Sequence, residues 1–253
     1  MMDCTAAVTV RNLTMGYGRR IIQKDLNFSI PRGQIVCIMG GSGCGKSTLL
    51  KHLIGLNHPV SGDVELLGDS IVKAKGDVRR KLMRRFGVAY QSGALFRSMT
   101  VYENIALPLV EFTDYPEEKV RQIVSVKLSQ VGLAGFENYM PGDLSGGMVK
   151  RVAFARAMAL DPEILFFDEP SAGLDPVSSA ALDQLILSIR RETGATIMVV
   201  THELASIFTI ADRGIMLGAD AGGILADGTP EELKNSEHKF VWDFMNRHAP
   251  ERS

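Results

Sequence analysis

The sequence predicts an α/β fold with a parallel-sheet core, an antiparallel β portion near its start and an inserted α-helical segment. Three observations support this. The runs "ILFFD" and "TIMVV" are apolar without alternation, as expected of strands buried on both faces of a parallel sheet. Residues 6–39 alternate β-rich runs with turns. From about residue 95 to residue 160 the pattern becomes helical.

A chain of 253 residues can form one large α/β domain or two small ones and bury a substantial core. Hydrophobic residues at 45% and charged residues at 23% are ordinary for a globular protein. The formal net charge of −1 gives no reason to expect a nucleic-acid partner. Cys4, Cys37 and Cys44 are odd in number and lack CxxC spacing, which indicates neither a disulfide framework nor a zinc site and fits a reducing compartment. No apolar run approaches the ~18–20 residues of a spanning helix. The N-terminal "MMDCTAAVTV" lacks the pattern of a secretory signal, so the chain is expected to be soluble by itself.

Taken in order, "AAVTVRNLTMGYG", "IIQKDLNFSI" and "PRGQIVCIMG" read as strands. The segment "KSTLLKHLIGL" (46–56) is a helix with Leu49, Leu50, Leu53 and Ile54 among its apolar positions. "GDVELLGDSI" (62–71) is a hairpin pair. Asp114 and Glu117 have capping-box spacing with Pro116 near the helix start. Val120, Ile123, Val124, Leu128 and Val131 then share one face. "MVKRVAFARAMAL" (148–160) makes the next helix, followed by strand "EILFFDEP", a helix near 177–192 and strand "ATIMVVTHE".

Gly40, Gly45, Lys46 and Ser47 satisfy G-x-x-x-x-G-K-[ST], between the apolar strand "QIVCIM" and an amphipathic helix. Glycines at 40, 41, 43 and 45 let the backbone curl with its N–H groups aimed inward at phosphate, and the helix start adds its positive dipole end. The binding set is Gly40, Gly41, Ser42, Gly43, Cys44, Gly45, Lys46, Ser47 and Thr48. Lys46 reaches the β- and γ-phosphates, and the Ser47 hydroxyl ligates Mg²⁺. Cys44 is either a small filler or a thiol whose pKa the helix start lowers. In the second case alkylating it blocks ATP binding and ATP protects it.

"ILFFDEP" ends a buried strand with two acids. Asp168 is assigned to Mg²⁺ or its waters, and Glu169 to orienting or deprotonating the attacking water. A carboxylate is a weak base, so positioning contributes more than proton abstraction. The alternative is a pair of acids capping the turn at Pro170. His202, at the exit of "VVTHE", is placed to bond the γ-phosphate or the water, or else is structural. Gln91, closing "FGVAYQ", has an amide suited to Mg²⁺ or water but is a weak signal alone.

Together, the phosphate loop, Gln91, "LSGGM", "FFDEP", "SAGLD" (171–175) and His202 resemble the ATP-binding cassette (ABC) ATPases along nearly the whole chain, in that family's order and spacing. The resemblance implies an ABC-type P-loop NTPase domain over residues 1–237, with a helical subdomain at about 92–160 and a short tail at 238–253. It implies hydrolysis of ATP to ADP and phosphate with Mg²⁺, by a homodimer closed head to tail around two nucleotides. Ser145, Gly146 and Gly147 would then bond the γ-phosphate held by the other copy's phosphate loop, and Asp175 would touch that copy. Tyr17 matches the aromatic residue that stacks on adenine, the alternative being a half-buried strand tyrosine.

Met148 stands where most cassettes have glutamine. "LSGGM" with "QSGALF" (91–96) looks like the Mla/Mce branch, ATPases that drive phospholipid movement between bacterial membranes. That implies a peripheral protein on the cytoplasmic face of the inner membrane. Its partners would be integral-membrane permease subunits, a small STAS-domain protein and a substrate-binding MCE-domain protein. A cassette for another cargo, such as an amino acid, lipoprotein or drug, and a non-transport ABC ATPase remain alternatives.

The family's permease groove maps to about 92–107, where Phe96, Met99 and Tyr102 are either contacts or core. "RRKLMRR" (79–85) is either a solvated helix face or a basic face near anionic lipid. In the tail, Phe240, Val241, Phe244 and Met245 share one side of a helix, with Trp242 on the other flank.

Overall fold

The computed structural model describes residues 6–18, 20–219 and 222–248. Cys4 and the last part of the predicted tail, 249–253, lie outside them. In chain order the elements are β1 (Ala6–Tyr17), β2 (Arg20–Pro31), β3 (Ile35–Gly40), α1 (Lys46–Leu53), β4 (Ser61–Leu66), β5 (Asp69–Ser70), α2 (Gly76–Met83) and β6 (Phe86–Ala89). Next come α3 (Val101–Phe112), α4 (Glu117–Gln130), α5 (Gly146–Ala157), β7 (Ile164–Asp168), α6 (Pro176–Thr193) and β8 (Thr196–Val200). The chain continues through α7 (Leu204–Ile210), β9 (Arg213–Leu217), β10 (Ile224–Gly228), α8 (Pro230–Lys234) and α9 (Lys239–Met245). It divides into two compact units, one of residues 1–74 with 198–253 and one of 75–197.

In the first unit an antiparallel sheet has the order β2-β1-β4-β5. Val8 faces Ile30 on one side and Leu66 on the other, and Val10 faces Phe28 and Val64. All six are buried, so the alternating pattern puts one apolar face inside. Every residue of β3 is buried, as its unbroken apolar run requires. β3 pairs in parallel with β9, Ile38 opposite Ile215 and Gly40 opposite Leu217, and β10 runs antiparallel to β9. The helix predicted over 46–56 is shorter: α1 ends at Leu53, Ile54 is its C-cap, and Gly55 then turns left-handed with φ 70°.

The second unit holds β6 and β7 in parallel, Phe86 opposite Ile164 and Ala89 opposite Phe167. Of the predicted face of α4, Val120, Val124, Leu128 and Val131 are buried and Ile123 is half-buried; Ile105 of α3 and Val152 of α5 are fully buried beside them. The predicted Asp114–Glu117 capping box does not form. Pro116 occupies the N-cap of α4 and has no side-chain acceptor to offer. The capping box belongs to α3, where Thr100 and Glu103 exchange side-chain and backbone bonds. In "RRKLMRR", Arg85 pairs with Glu163 and Arg80 with Glu111, while Lys81 and Arg84 are exposed.

Candidate functional site

The phosphate loop leaves β3 at Gly40, where φ is 145° and an added Cβ would lie 2.5 Å from the Leu217 carbonyl oxygen. At Gly45 φ is 101° and a Cβ would lie 2.5 Å from the Ile22 side chain. Both positions therefore need glycine for conformation and for space. Gly45 is the N-cap of α1 and supplies no side-chain cap, and the first turn carries no acid. A donor-rich helix start of this kind suits an anion. The Lys46 ammonium curls over the loop and donates to the carbonyls of Gly40 at 2.9 Å and Gly41 at 3.1 Å. Backbone amides, an ammonium and the Ser47 and Thr48 hydroxyls form a donor set that fits a triphosphate with a hard cation.

Gln23 braces the loop and has no obvious motif signal. It is fully buried on β2. Its Nε2 donates to the carbonyls of Cys44 (2.8 Å) and Gly218 (2.5 Å), and its Oε1 accepts from the Gly223 N–H at 2.8 Å. The only hint in the sequence is a polar residue at an inward register of an apolar strand.

Cys44 fits the reading as a small filler and not the reading as a reactive thiol. It is 2% exposed, and burial pushes its pKa up, outweighing the opposing pull of the Lys46 ammonium. Tyr17, at the end of β1, is 53% exposed, and its hydroxyl accepts from Asn57 Nδ2 at 3.1 Å. It is a strand-end tyrosine with about half its surface open to solvent, which leaves the ring free to meet a flat partner. His202 is exposed just beyond β8. The Thr201 N–H donates to the Ile38 carbonyl at 3.2 Å, which sets this exit beside β3 two residues before Gly40.

The predicted tail helix is α9. Val241 and Met245 are buried in the first unit, Phe244 is half-buried, and Phe240 and Trp242 are partly exposed. A Cβ on Gly41 would come within 3.5 Å of the Phe240 ring, so α9 packs against the phosphate loop.

In the second unit, β7 ends at Asp168, and Glu169 adopts φ 46°. A non-glycine residue in that region is uncommon and marks stored strain. Lys150 of α5 is 7% exposed. Its Nζ donates to the Gln91 carbonyl in a short bond and to the Glu169 carbonyl at 3.5 Å. Burial pulls its pKa down, while Asp168 and Glu169 push it back up. No motif in the sequence marks Lys150, because the partners of a helical lysine are set by tertiary contact.

Gln91 lies exposed two residues beyond β6. The chain after it is clamped by side chains. Arg156 donates to the carbonyls of Gly93 and Ala94 at 2.8 Å, and Asn104, fully buried, donates to those of Phe96, Met99 and Thr100. Phe96, half exposed, lines a hollow of about 680 Å³ with Met83, Tyr90, Leu107, Phe112 and Leu160. Met99 and Tyr102 line a second hollow of about 390 Å³ with Leu107 and Val110. All three predicted groove residues thus line surface hollows.

Ser145 is the N-cap of α5, and its Oγ accepts from the Met148 N–H at 3.3 Å. Gly146 and Gly147 are the first helical residues. Ser145, Gly147 and Met148 border a hollow of about 220 Å³ with Arg151, Leu174 and Val177. Asp175 caps α6, accepting from the N–H groups of Val177 and Ser178 at 3.0 Å. The Ser178 hydroxyl, donating at 2.5 Å, is the main cause of its lowered pKa.

The family model for ABC transporters matches residues 23–172. The chain belongs to the ABC transporter family. It is an ABC ATPase, the ATP-binding subunit of a transporter. The chain is 41% identical, over 97% of its own length and 70% of the relative's, to the probable ribonucleotide transport ATP-binding protein mkl of Mycobacterium leprae. It is 39% identical, over 94% of its length and 89% of the relative's, to the intermembrane phospholipid transport system ATP-binding protein MlaF of Haemophilus influenzae. A solved dimeric structure of the ATP-binding cassette MJ0796, in a post-hydrolysis state with ADP and phosphate, superposes with a TM-score of 0.79 and 31% identity. That match covers 88% of this chain and 98% of that one. No helix among the described residues is long and apolar enough to cross a membrane.

Proposed function

We propose that this ABC ATPase powers phospholipid movement between bacterial membranes, as one of two identical copies closed head to tail around two ATP molecules. The observation that carries the dimer reading is the start of α5. Its glycines offer backbone N–H groups and a helix dipole next to an open hollow, a second anion site besides the phosphate loop. In this reading Ser145, Gly146 and Gly147 of one copy bond the γ-phosphate of ATP seated on the other copy's loop. A ligand held from both sides stabilises the pair until hydrolysis removes it.

Within each copy, Tyr17 stacks on adenine, and residues 40–48 with Lys46 hold the phosphates. Ser47, Asp168 and Gln91 would hold Mg²⁺, which when bound would neutralise charge on the phosphates. Glu169 orients the attacking water, and His202 contacts the γ-phosphate or that water. Asp175, which caps its own helix, also touches the partner copy.

The cargo reading rests on Met148 in "LSGGM", on "QSGALF" and on the relative MlaF. The mkl relative supports a second reading, transport of another cargo such as a ribonucleotide. The hollows beside Phe96, Met99 and Tyr102 suit a short apolar helix of an integral-membrane permease, and in this reading the chain works on the cytoplasmic face of the inner membrane. A STAS-domain protein and an MCE-domain protein complete the assembly in the phospholipid reading.

Purification of the intact membrane complex followed by lipid analysis tests this. Phospholipid enriched over bulk membrane supports the cargo. A complex that carries none, and whose ATPase is stimulated by ribonucleotide instead, overturns it.

A further inference from the structure

Lys150 joins three pieces of the second unit that the motifs identify separately. It sits on α5, the helix that begins at Ser145. Its ammonium donates to the Gln91 main chain and to the Glu169 main chain. Burying an ammonium is costly unless its N–H groups are bonded, and here main-chain carbonyls bond it. Those carbonyls belong to the two stretches that carry the predicted water-handling side chains.

We propose that Lys150 is a positioning residue for hydrolysis. Its ammonium stands 3.5 Å from the Glu169 carbonyl, which also accepts from the Ala172 N–H at 3.2 Å, and together the two donors hold that residue in its left-handed backbone conformation and aim the carboxylate. By gripping Gln91 it ties the same turn to the loop that leads to the Phe96 hollow. A residue at φ 46° relaxes towards ordinary backbone geometry unless its surroundings hold it. Loss of the grip therefore misdirects the side chain without touching the nucleotide. The inference rests on the assignment of Glu169 to the attacking water.

The test is a double-mutant cycle of Lys150→Met, which keeps the methylene stem and loses the donors, with Glu169→Gln. Single-turnover phosphate release, equilibrium ATP binding and melting temperature are read for each variant. Lys150→Met alone is expected to slow hydrolysis by about tenfold or more and to change ATP affinity by less than about threefold. In the Glu169→Gln background the same substitution is expected to slow hydrolysis no further. Lys150→Arg, which keeps charge and donors, should restore most of the rate. An equal proportional loss in both backgrounds, or an unchanged rate for Lys150→Met, overturns the proposal. If Lys150→Met does not fold, Lys150→Leu, which also lacks donors, enters the same cycle with the same two outcomes. If Glu169→Gln itself leaves the rate intact, the Glu169 assignment fails instead, a distinguishable result.

Discussion

The starts of α1 and α5 both follow or contain glycines, yet the chain needs those glycines for different reasons. At α1 the protein itself demands them. Gly40 and Gly45 have backbone angles that other residues resist, and a Cβ at either would strike the Leu217 carbonyl or the Ile22 side chain. At α5 the cap is a conventional serine with φ −65° and ψ 160°. A Cβ on Gly147 would meet nothing within 4 Å, and one on Gly146 would meet only Leu174 at 3.8 Å. Neither glycine has a left-handed φ. Glycine in a helix costs up to about 1 kcal/mol relative to alanine, and no contact among the described residues explains two in a row. The close approach of an outside group to the backbone, as proposed above, would explain them.

The sharpest way to break this comparison is Gly45→Ala. It combines a left-handed φ with a steric clash, so the expected result is a lower melting temperature and ATP affinity reduced by more than about tenfold, read by nucleotide titration. Normal affinity would show that the loop tolerates a side chain and that the contrast is false. Gly147→Ala should behave in the opposite way. Its melting temperature should stay level or rise by a few degrees, about 2–4 °C per kcal/mol for a chain of this size. Monomer affinity for ATP should be unchanged while steady-state hydrolysis falls about tenfold or more. Retained hydrolysis would mean that no group approaches α5.

The smallest effect concerns Cys44. With the thiol buried and its pKa raised, iodoacetamide at neutral pH should label Cys44 in the native protein far more slowly than in the denatured chain, as peptide mapping would show. Equal rates would place the thiol at the surface.

The same contrast separates what was legible in the sequence from what was not. The phosphate loop, the buried strands ending at Asp168 and Val200, and the helix predicted over 148–160 and found at Gly146–Ala157 follow from local signals, chiefly glycine spacing and unbroken apolar runs. Readings that needed tertiary information went astray or were missed. The helix-start argument for Cys44 is local and ignores that β3 and the loop bury the thiol. The Asp114–Glu117 spacing was right for a capping box, but Pro116 took the cap position. Gln23, Arg156 and Lys150 act by donating to carbonyls that lie far along the chain, in the extreme case 195 residues away, and no periodicity encodes that. Phe240 shows the same limit, since a tail aromatic gains meaning only from the Gly41 backbone beside it.

The claim on which the account depends is tested most directly by measuring the mass of the Glu169→Gln protein in solution with saturating ATP and Mg²⁺, alone and combined with Ser145→Arg. The account predicts a dimer for the first and a monomer for the second, each with ATP bound. A monomer in both, or a dimer that persists when an arginine side chain stands at the start of α5, would contradict it.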